Sequence, residues 1–359
     1  MNKAPSPRHI VWISPGFAAD ESDSQCIPPL QLLARELADG DEVHLRIVSL
    51  HYPQRRTAYS WHGLRVYPCY CPPPQARRRI RATELRDQHQ LQREAPNDQH
   101  HSMWQSDAAL LGHLAAGWLR RPHWVTLMGQ DARPSNRYLR LLPTQRMRTI
   151  ALSPFHAITW EQSTGRAPQR LIPWGIAPPD LGDGPRIRDV DVLGVGNLIP
   201  LKDFALWIDL VAEMARAGRI RRAVLIGGGP EAGRLRKRIE RWGMSEVIQL
   251  TGPLPRTEVL AWMQRSRVLL HPSTYESFGF VLVEALALGL AVVSRPVGIA
   301  RAGERWWLGA DRQSLAKALV VALAGEGFAE GQIPHPLAAT KAAYLDLWRD
   351  QLIDKNHFF

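Results

Sequence analysis

The sequence predicts an α/β protein built from two doubly wound, Rossmann-like domains. Short runs rich in Val, Ile and Leu alternate with segments of helical periodicity along most of the chain. That rhythm is interrupted at residues 173–185, which hold four Pro and three Gly, and then restarts. The length, 359 residues, suits two domains. Strands alternating with helices imply parallel sheets covered on both faces, because each crossover lays a helix on the sheet.

In the first half an apolar run at residues 9–14 breaks at Pro15-Gly16. Residues 27–38 place Leu30, Leu33, Ala34 and Leu37 on one side of a helix. Strands are expected at 43–50 and 64–67. Residues 72–100 are polar, begin with a Pro triplet and read as an irregular basic insertion. A helix at 108–119, a strand at 124–127 and short strands at 149–152 and 170–172 complete an N-terminal domain over residues 1–175. The C-terminal domain, 176–335, is expected to run strand 190–195, helix 204–217, strand 223–226, helix 231–242, strand 247–250, helix 256–264, strand 268–270, a helix opening at Gly279, and strand 291–293. Residues 340–353 are the candidate for a last helix within the segment 336–359.

Composition narrows the function classes. No run of 18 apolar residues exists, so no membrane-spanning helix is expected. The first residues lack an apolar signal region, which points to a cytoplasmic protein. Cys26, Cys69 and Cys71 are too few and too unevenly placed for a disulfide framework or a zinc site, and no metal or cofactor is expected. The net charge is +11, and it is uneven. Residues 1–175 hold 22 basic and 14 acidic side chains, against 23 and 20 in the remainder. Arg77, Arg78, Arg79, Arg81, Arg86 and Arg93 crowd one segment. An anionic membrane surface is therefore a candidate partner for the N-terminal half, giving a peripheral place at the inner face of the membrane. No nucleic-acid motif accompanies the charge, so no nucleic-acid partner is expected.

Residues 268–293 carry the strongest chemical signal. A strand ends in a polar loop with Glu276, Gly279 opens a helix, and Glu284 follows eight residues after Glu276. The amides of Phe278, Gly279 and Phe280 belong to a helix N-terminus, where unpaired N–H groups attract phosphate. The two carboxylates can accept hydrogen bonds from the hydroxyls of a sugar and a ribose. Together they describe a pocket for a sugar joined to a nucleotide through a diphosphate.

The run Glu-Ser-Phe-Gly-Phe-Val-Leu-Val-Glu-Ala-Leu-Ala-Leu-Gly, from Glu276 to Gly289, resembles the Glu-x7-Glu motif of the retaining, metal-independent GT-B glycosyltransferases. That large family includes sucrose synthase and many bacterial mannosyl- and lipopolysaccharide transferases. The resemblance implies two Rossmann-like domains facing a central cleft, with a last helix returning to the first domain. It implies a nucleotide-sugar donor, a saccharide or lipid-linked acceptor, and work in surface polysaccharide or glycoconjugate synthesis.

Residue by residue, the resemblance places Glu276 on the donor sugar's hydroxyls, with Ser277, Phe278, Gly279 and Phe280 beside the diphosphate and Glu284 on the ribose. Lys202, in Gly-Val-Gly-Asn-Leu-Ile-Pro-Leu-Lys, is the expected leaving-group stabiliser; the chain has 39 Arg and only six Lys, yet keeps Lys here. Asn197 stands where the family has Arg. Gly228, in Gly-Gly-Gly-Pro, belongs to a turn that lets backbone approach the ligand, and Arg256 lies where the base is usually bounded. Gly16 corresponds to a glycine loop facing the donor phosphates, although Asp20, Glu21 and Asp23 follow it. Thr126-Leu127-Met128-Gly129-Gln130-Asp131 resembles Thr-x-His-Gly-x-Asp, with Met128 in the histidine's place; Asp131 is retained as a catalytic candidate. His101, read as a loop residue ahead of a helix, is a candidate substitute for that histidine. Two other readings stay open: a nucleotide-sugar epimerase or phosphorylase of the same fold, and a degenerate subunit without catalysis.

Overall fold

The computed structural model describes residues 7–55, 57–69, 98–178, 187–325 and 330–349. They fall into two units. Unit 1 holds the described residues up to Gly175 together with the C-terminal helix Leu337–Arg349, and unit 2 runs from Ile176 to Pro336.

Unit 1 contains β1 (Arg8–Gly16), α1 (Pro28–Ala38), β2 (Val43–Tyr52), β3 (Tyr59–Trp61), β4 (Leu64–Pro68), β5 (Gln99–Met103), α2 (Asp107–Leu119), β6 (His123–Thr126), α3 (Tyr138–Leu141), β7 (Arg148–Ala151), α4 (Pro154–Thr164) and β8 (Arg170–Leu171). The sheet order is β3-β4-β2-β1-β5-β6-β7-β8, parallel except for the β3–β4 hairpin. β1 lies centrally, so Ile10, Val11, Trp12 and Ile13 are buried whichever face they point to. α1 buries Leu30, Leu33, Ala34 and Leu37, the stripe its periodicity predicts. Ser106 and Ser153 cap α2 and α4, accepting from the amides of Ala108 and His156.

The structure corrects the reading of the insertion at its end. Gln99 and His100 belong to β5, a buried strand that continues through His101 and Ser102. The polarity of β5 is met by specific partners. Gln99 Nε2 donates to Trp348 O at 2.6 Å, and Ser102 Oγ donates to Ala108 O and meets His123 Nε2, both at 2.8 Å. His101 Nε2 meets Thr126 Oγ1 at 2.8 Å, and Trp348 Nε1 donates to His101 Nδ1 at 3.2 Å. Tyr344 and Trp348 of the C-terminal helix are both buried in unit 1, with the Tyr344 hydroxyl 2.9 Å from Thr126 Oγ1. Residues 72–97 of the insertion, which include the six arginines, lie outside the described residues.

Unit 2 contains β9 (Val190–Val195), a 3-10 turn (Pro200–Lys202), α5 (Phe204–Arg216), β10 (Ala223–Ile226), α6 (Ala232–Trp242), β11 (Ile248–Gly252), α7 (Arg256–Gln264), β12 (Ser266–His271), α8 (Phe280–Ala287), β13 (Ala291–Ser294), β14 (Trp306–Leu308) and α9 (Arg312–Ala324). Its sheet is fully parallel, in the order β11-β10-β9-β12-β13-β14. β14 and α9 are additions that the periodicity did not announce. Strand residues alternate between two apolar layers. Val192, Leu225, Val268, Leu270 and Val293 pack with α5, α6 and α9. Leu193, Val224, Leu269 and Val292 pack with α7 and α8 on the other face. No helix among the described residues is long and apolar enough to cross a membrane.

Unit 1 is sensitive to acid through its histidines. Burial pushes His100 down to about 4 and His101 and His156 down to about 3, and burial lowers His123 in the same direction. Unfolded histidine takes up a proton near pH 6.5. These contributions are therefore full above that pH and are lost as pH falls toward 4, by up to ~1.4 kcal/mol per pH unit for each histidine. Asp131, which burial pushes up to about 7, acts in the opposite sense but is outnumbered. The urea midpoint of unfolding should drop between pH 6.5 and 5; a flat midpoint contradicts this.

Candidate active site

In an open parallel sheet, ligands sit beyond the carboxyl ends of the strands where the order reverses, because the crossovers on either side diverge there. In unit 2 the reversal falls between β9 and β12, which are paired neighbours. The loops that follow them are bound together. Leu201 O, after β9, accepts from Thr274 N at 2.9 Å, Thr274 Oγ1 at 3.0 Å and Ser273 Oγ at 3.2 Å, all after β12. Arg295, after β13, adds a clasp by donating to Asp203 at 3.0 Å and to Pro272 O at 2.6 Å.

This clasp brings Lys202 and Glu276 together, although 74 residues separate them. The Lys202 ammonium donates to Glu276 Oε1, and the same oxygen lies 2.7 Å from His271 Nε2. Burial alone would push the Glu276 carboxyl up, but the Lys202 charge and the His271 hydrogen bond overcome it and hold it down at about 2. Burial lowers His271 despite the neighbouring carboxylate. The imidazole is thus neutral, donates from Nε2, and carries its lone pair on Nδ1, which has no hydrogen-bond partner among the described residues.

Beyond Glu276 the chain turns into α8. Gly279 stands at its N-cap with φ +89°, and an added Cβ there would lie 2.7 Å from Leu282 Cδ1. Leu282 N donates back to the N-cap carbonyl of Gly279 at 2.9 Å, and helix geometry leaves the amides of Phe280 and Val281 ahead of it without an intrahelical acceptor. From the loop after β13, Ile299 N donates to Phe278 O at 2.8 Å. Gly298, at φ +63°, backs the same loop so closely that a Cβ would lie 2.3 Å from Phe278 O and 2.9 Å from Glu276 Cβ. Phe278 is buried, while Ser277 and Phe280 are half-buried. Glu284, one turn into α8, is buried and accepts from Arg256 Nε at 2.8 Å. Burial raises the Glu284 carboxyl and Arg256 opposes it.

The other expected donor-site residues of unit 2 lie on loops at the same edge. Asn197 is exposed just after β9, and Gly228 follows β10 with Pro253 beside it. In unit 1, Gly16 ends β1, paired with Tyr52, with an ordinary backbone conformation. The acidic residues after it are engaged locally. Asp23 accepts from Ala19 N at 3.0 Å and from the Tyr52 hydroxyl at 2.8 Å, Asp20 from Ser22 N at 2.9 Å, and Glu21 from His62 N at 3.0 Å.

His101 requires correction. It is a strand residue, wholly buried in the interior of unit 1 with both ring nitrogens engaged, so it meets no substrate. Asp131 is also buried. One of its oxygens accepts from Gln105 N at 2.6 Å and Met128 N at 2.8 Å, fixing the turn after β6. Three contributors to the unit 2 site escaped the sequence reading: His271, Gly298 and the Arg256–Glu284 pair. Gly298 follows β13 in a Pro-Val-Gly run, which was a usable signal; the other two are matters of contact. Among the described residues no group of three or more His, Cys, Asp or Glu gathers as metal ligands.

Two Rossmann-like units of this topology define the GT-B fold, and solved structures agree. The chain is similar to sucrose-phosphate synthase from Thermosynechococcus elongatus, with a TM-score of 0.73 and 18% identity over 96% of this chain and 98% of that one. It is also similar to Anabaena HepE, solved in complex with UDP and glucose, with a TM-score of 0.67 and 19% identity over 95% and 94% of the two chains. Residues 186–303, within unit 2, match the family Glycosyl transferases group 1. A D-inositol 3-phosphate glycosyltransferase of Frankia alni is 35% identical over 121 residues, 31% of this chain and 30% of that protein. A 2-deoxystreptamine glucosyltransferase of Streptomyces kanamyceticus is 34% identical over 104 residues, 29% and 27% of the two. These matches thus span less than a third of either curated relative.

Gly298→Ala tests the packing behind Glu276. It should destabilise the protein by about 1–3 kcal/mol, because a side chain at that φ is strained and the obstacle is a backbone carbonyl. Arg256→Met should cost about 1–3 kcal/mol by leaving the buried Glu284 without its partner. Urea denaturation checks both, and an unchanged midpoint for either refutes the contact it removes.

Proposed function

We propose that the protein is a retaining, metal-independent glycosyltransferase that moves a sugar from a nucleoside diphosphate sugar to a hydroxyl of a saccharide, glycolipid or metabolite. The observation that carries this reading is the Lys202–Glu276 contact beside the first turn of α8. As the bond from the anomeric carbon to the leaving phosphate oxygen breaks, negative charge grows on the diphosphate. The Lys202 ammonium and the α8 amides supply the opposing field in a partly dehydrated site. Glu276, held ionised, accepts hydrogen bonds from the donor sugar's hydroxyls. Glu284 accepts from the ribose, steadied by Arg256. The acceptor hydroxyl bonds to the anomeric carbon on the face the leaving group departs, and its proton passes to the leaving phosphate oxygen. That route retains configuration and requires no separate base, so Met128 in place of a histidine is compatible with turnover.

HepE was solved with UDP and glucose, and the curated relatives are named for transfer to an inositol phosphate and to deoxystreptamine. The family match at residues 186–303, within unit 2, fits a shared kind of donor, with unit 1 binding an acceptor of its own. We place the activity in surface polysaccharide or glycoconjugate synthesis at the cytoplasmic face of a membrane. Residues 118–148 support the membrane contact. They hold seven Arg and a single acid, the buried Asp131, and expose Trp118 and Leu141.

Thermal unfolding with UDP, GDP, ADP and their sugar conjugates, each with EDTA, tests the donor site. One nucleotide family should raise stability by about 2.7 kcal/mol at a hundredfold excess over its dissociation constant, unchanged by EDTA. Glu276→Ala and Lys202→Ala should each lower transfer by about 100-fold or more. Absence of any nucleotide effect supports a degenerate subunit instead, and wild-type transfer by Glu276→Ala refutes the site. Flotation with anionic liposomes should succeed at low salt and fail at about 1 M salt, where charges more than ~3 Å apart are screened; no flotation at low salt refutes the membrane contact.

A further inference from the structure

His271 is not explained by packing. It is the last residue of β12, paired in register with Ser294, and its side chain is 1% exposed. An apolar side chain would fill that space and leave no polar atom stranded, whereas the imidazole leaves Nδ1 buried without a partner. Among the described residues the ring's single hydrogen bond is the one from Nε2 to Glu276. Pro272 follows it and confines the His271 backbone to extended conformations, so the ring is aimed from a rigid strand end.

The bond falls on Oε1, the oxygen that also takes Lys202, and no partner of Oε2 exists among the described residues. The two donors therefore share one side of the carboxylate and leave the other open. Lys202 is an uncertain anchor during the reaction. Its ammonium sits on a flexible stem and is drawn toward any diphosphate that arrives. His271 is neutral, is fixed by the sheet and has no attraction to phosphate.

We infer that His271 is a positioning residue for Glu276: its Nε2–H holds Oε1 so that Oε2 alone faces the donor sugar's hydroxyls, including when Lys202 turns to the leaving diphosphate. This rests on the glycosyltransferase reading above and deepens it. It assigns His271 to sugar recognition and not to nucleotide recognition.

The geometry makes a discriminating set of variants. Glutamine carries its amide nitrogen about as far from the backbone as histidine carries Nε2, whereas asparagine reaches only as far as Nδ1. His271→Gln should restore the hydrogen bond, and His271→Asn and His271→Leu should not. Thermal shifts are read with UDP, GDP and ADP and with UDP-glucose, GDP-mannose and ADP-glucose. Wild type and His271→Gln should show the nucleoside diphosphate shift plus an increment from the sugar. His271→Asn and His271→Leu should keep the first and lose the increment. Donor kcat/KM should fall about 10- to 100-fold in these two and much less in His271→Gln, as expected for a hydrogen bond to a charged group. A purely structural role would lower the melting temperature without ligand and leave the increment intact in all variants. An intact increment in His271→Asn or His271→Leu, or a His271→Gln protein no better than His271→Asn, overturns the inference while the glycosyltransferase reading stands. No nucleotide shift in the wild type overturns that reading and this inference together.

Discussion

Everything proposed for unit 2 depends on the pairing of β9 with β12 where the strand order turns. Adjacent strands lie about 4.8 Å apart, so their carboxyl ends deliver two loops to the same point. The Leu201 carbonyl, shared by Ser273 and Thr274, and the Arg295 clasp then convert proximity into a fixed contact. Lys202 and Glu276 are 17% and 12% exposed, so each would be costly to hold there without the other. With both present, and with His271 behind them, the site keeps an ionised carboxylate and a cation side by side next to a helix N-terminus. That combination suits a polyhydroxylated sugar carrying a diphosphate.

Unit 1 uses a different economy of polar groups. β5 places Gln99, His100, His101 and Ser102 in the interior, and the C-terminal helix brings Tyr344 and Trp348 to meet them. Each polar atom engaged in this way avoids the penalty of an unpaired buried group. Burial keeps the histidines neutral, which ties the stability of the unit to pH without giving His101 any access to a ligand.

Much of this was legible in the sequence, and the failures have physical reasons. The parallel strands of unit 2 announced themselves because both faces are buried, so 190–195 and 268–270 read as nearly continuous apolar runs. Gly279 was legible because a helix opening after a strand needs an unusual backbone there. β5 was hidden because Gln-His-His-Ser-Met has no apolar pattern; its burial depends on partners at 126, 123 and 348 that no local window contains. For the same reason His101 read as a loop residue. His271 closes an apolar run and precedes a proline, so nothing local separates it from a strand terminus; only its contact with Glu276 gives it meaning. The Arg256–Glu284 pair, 28 residues apart, is likewise a product of the fold.

The most direct test of the central claim is a crystal structure with the nucleotide sugar that stabilises the protein most. The account predicts the diphosphate within hydrogen-bond reach of Lys202 Nζ and the first-turn amides of α8, the sugar's hydroxyls on Glu276 Oε2, and Oε1 still bound by His271. A donor seated away from the carboxyl ends of β9 and β12, or a diphosphate that leaves Lys202 untouched, would contradict it.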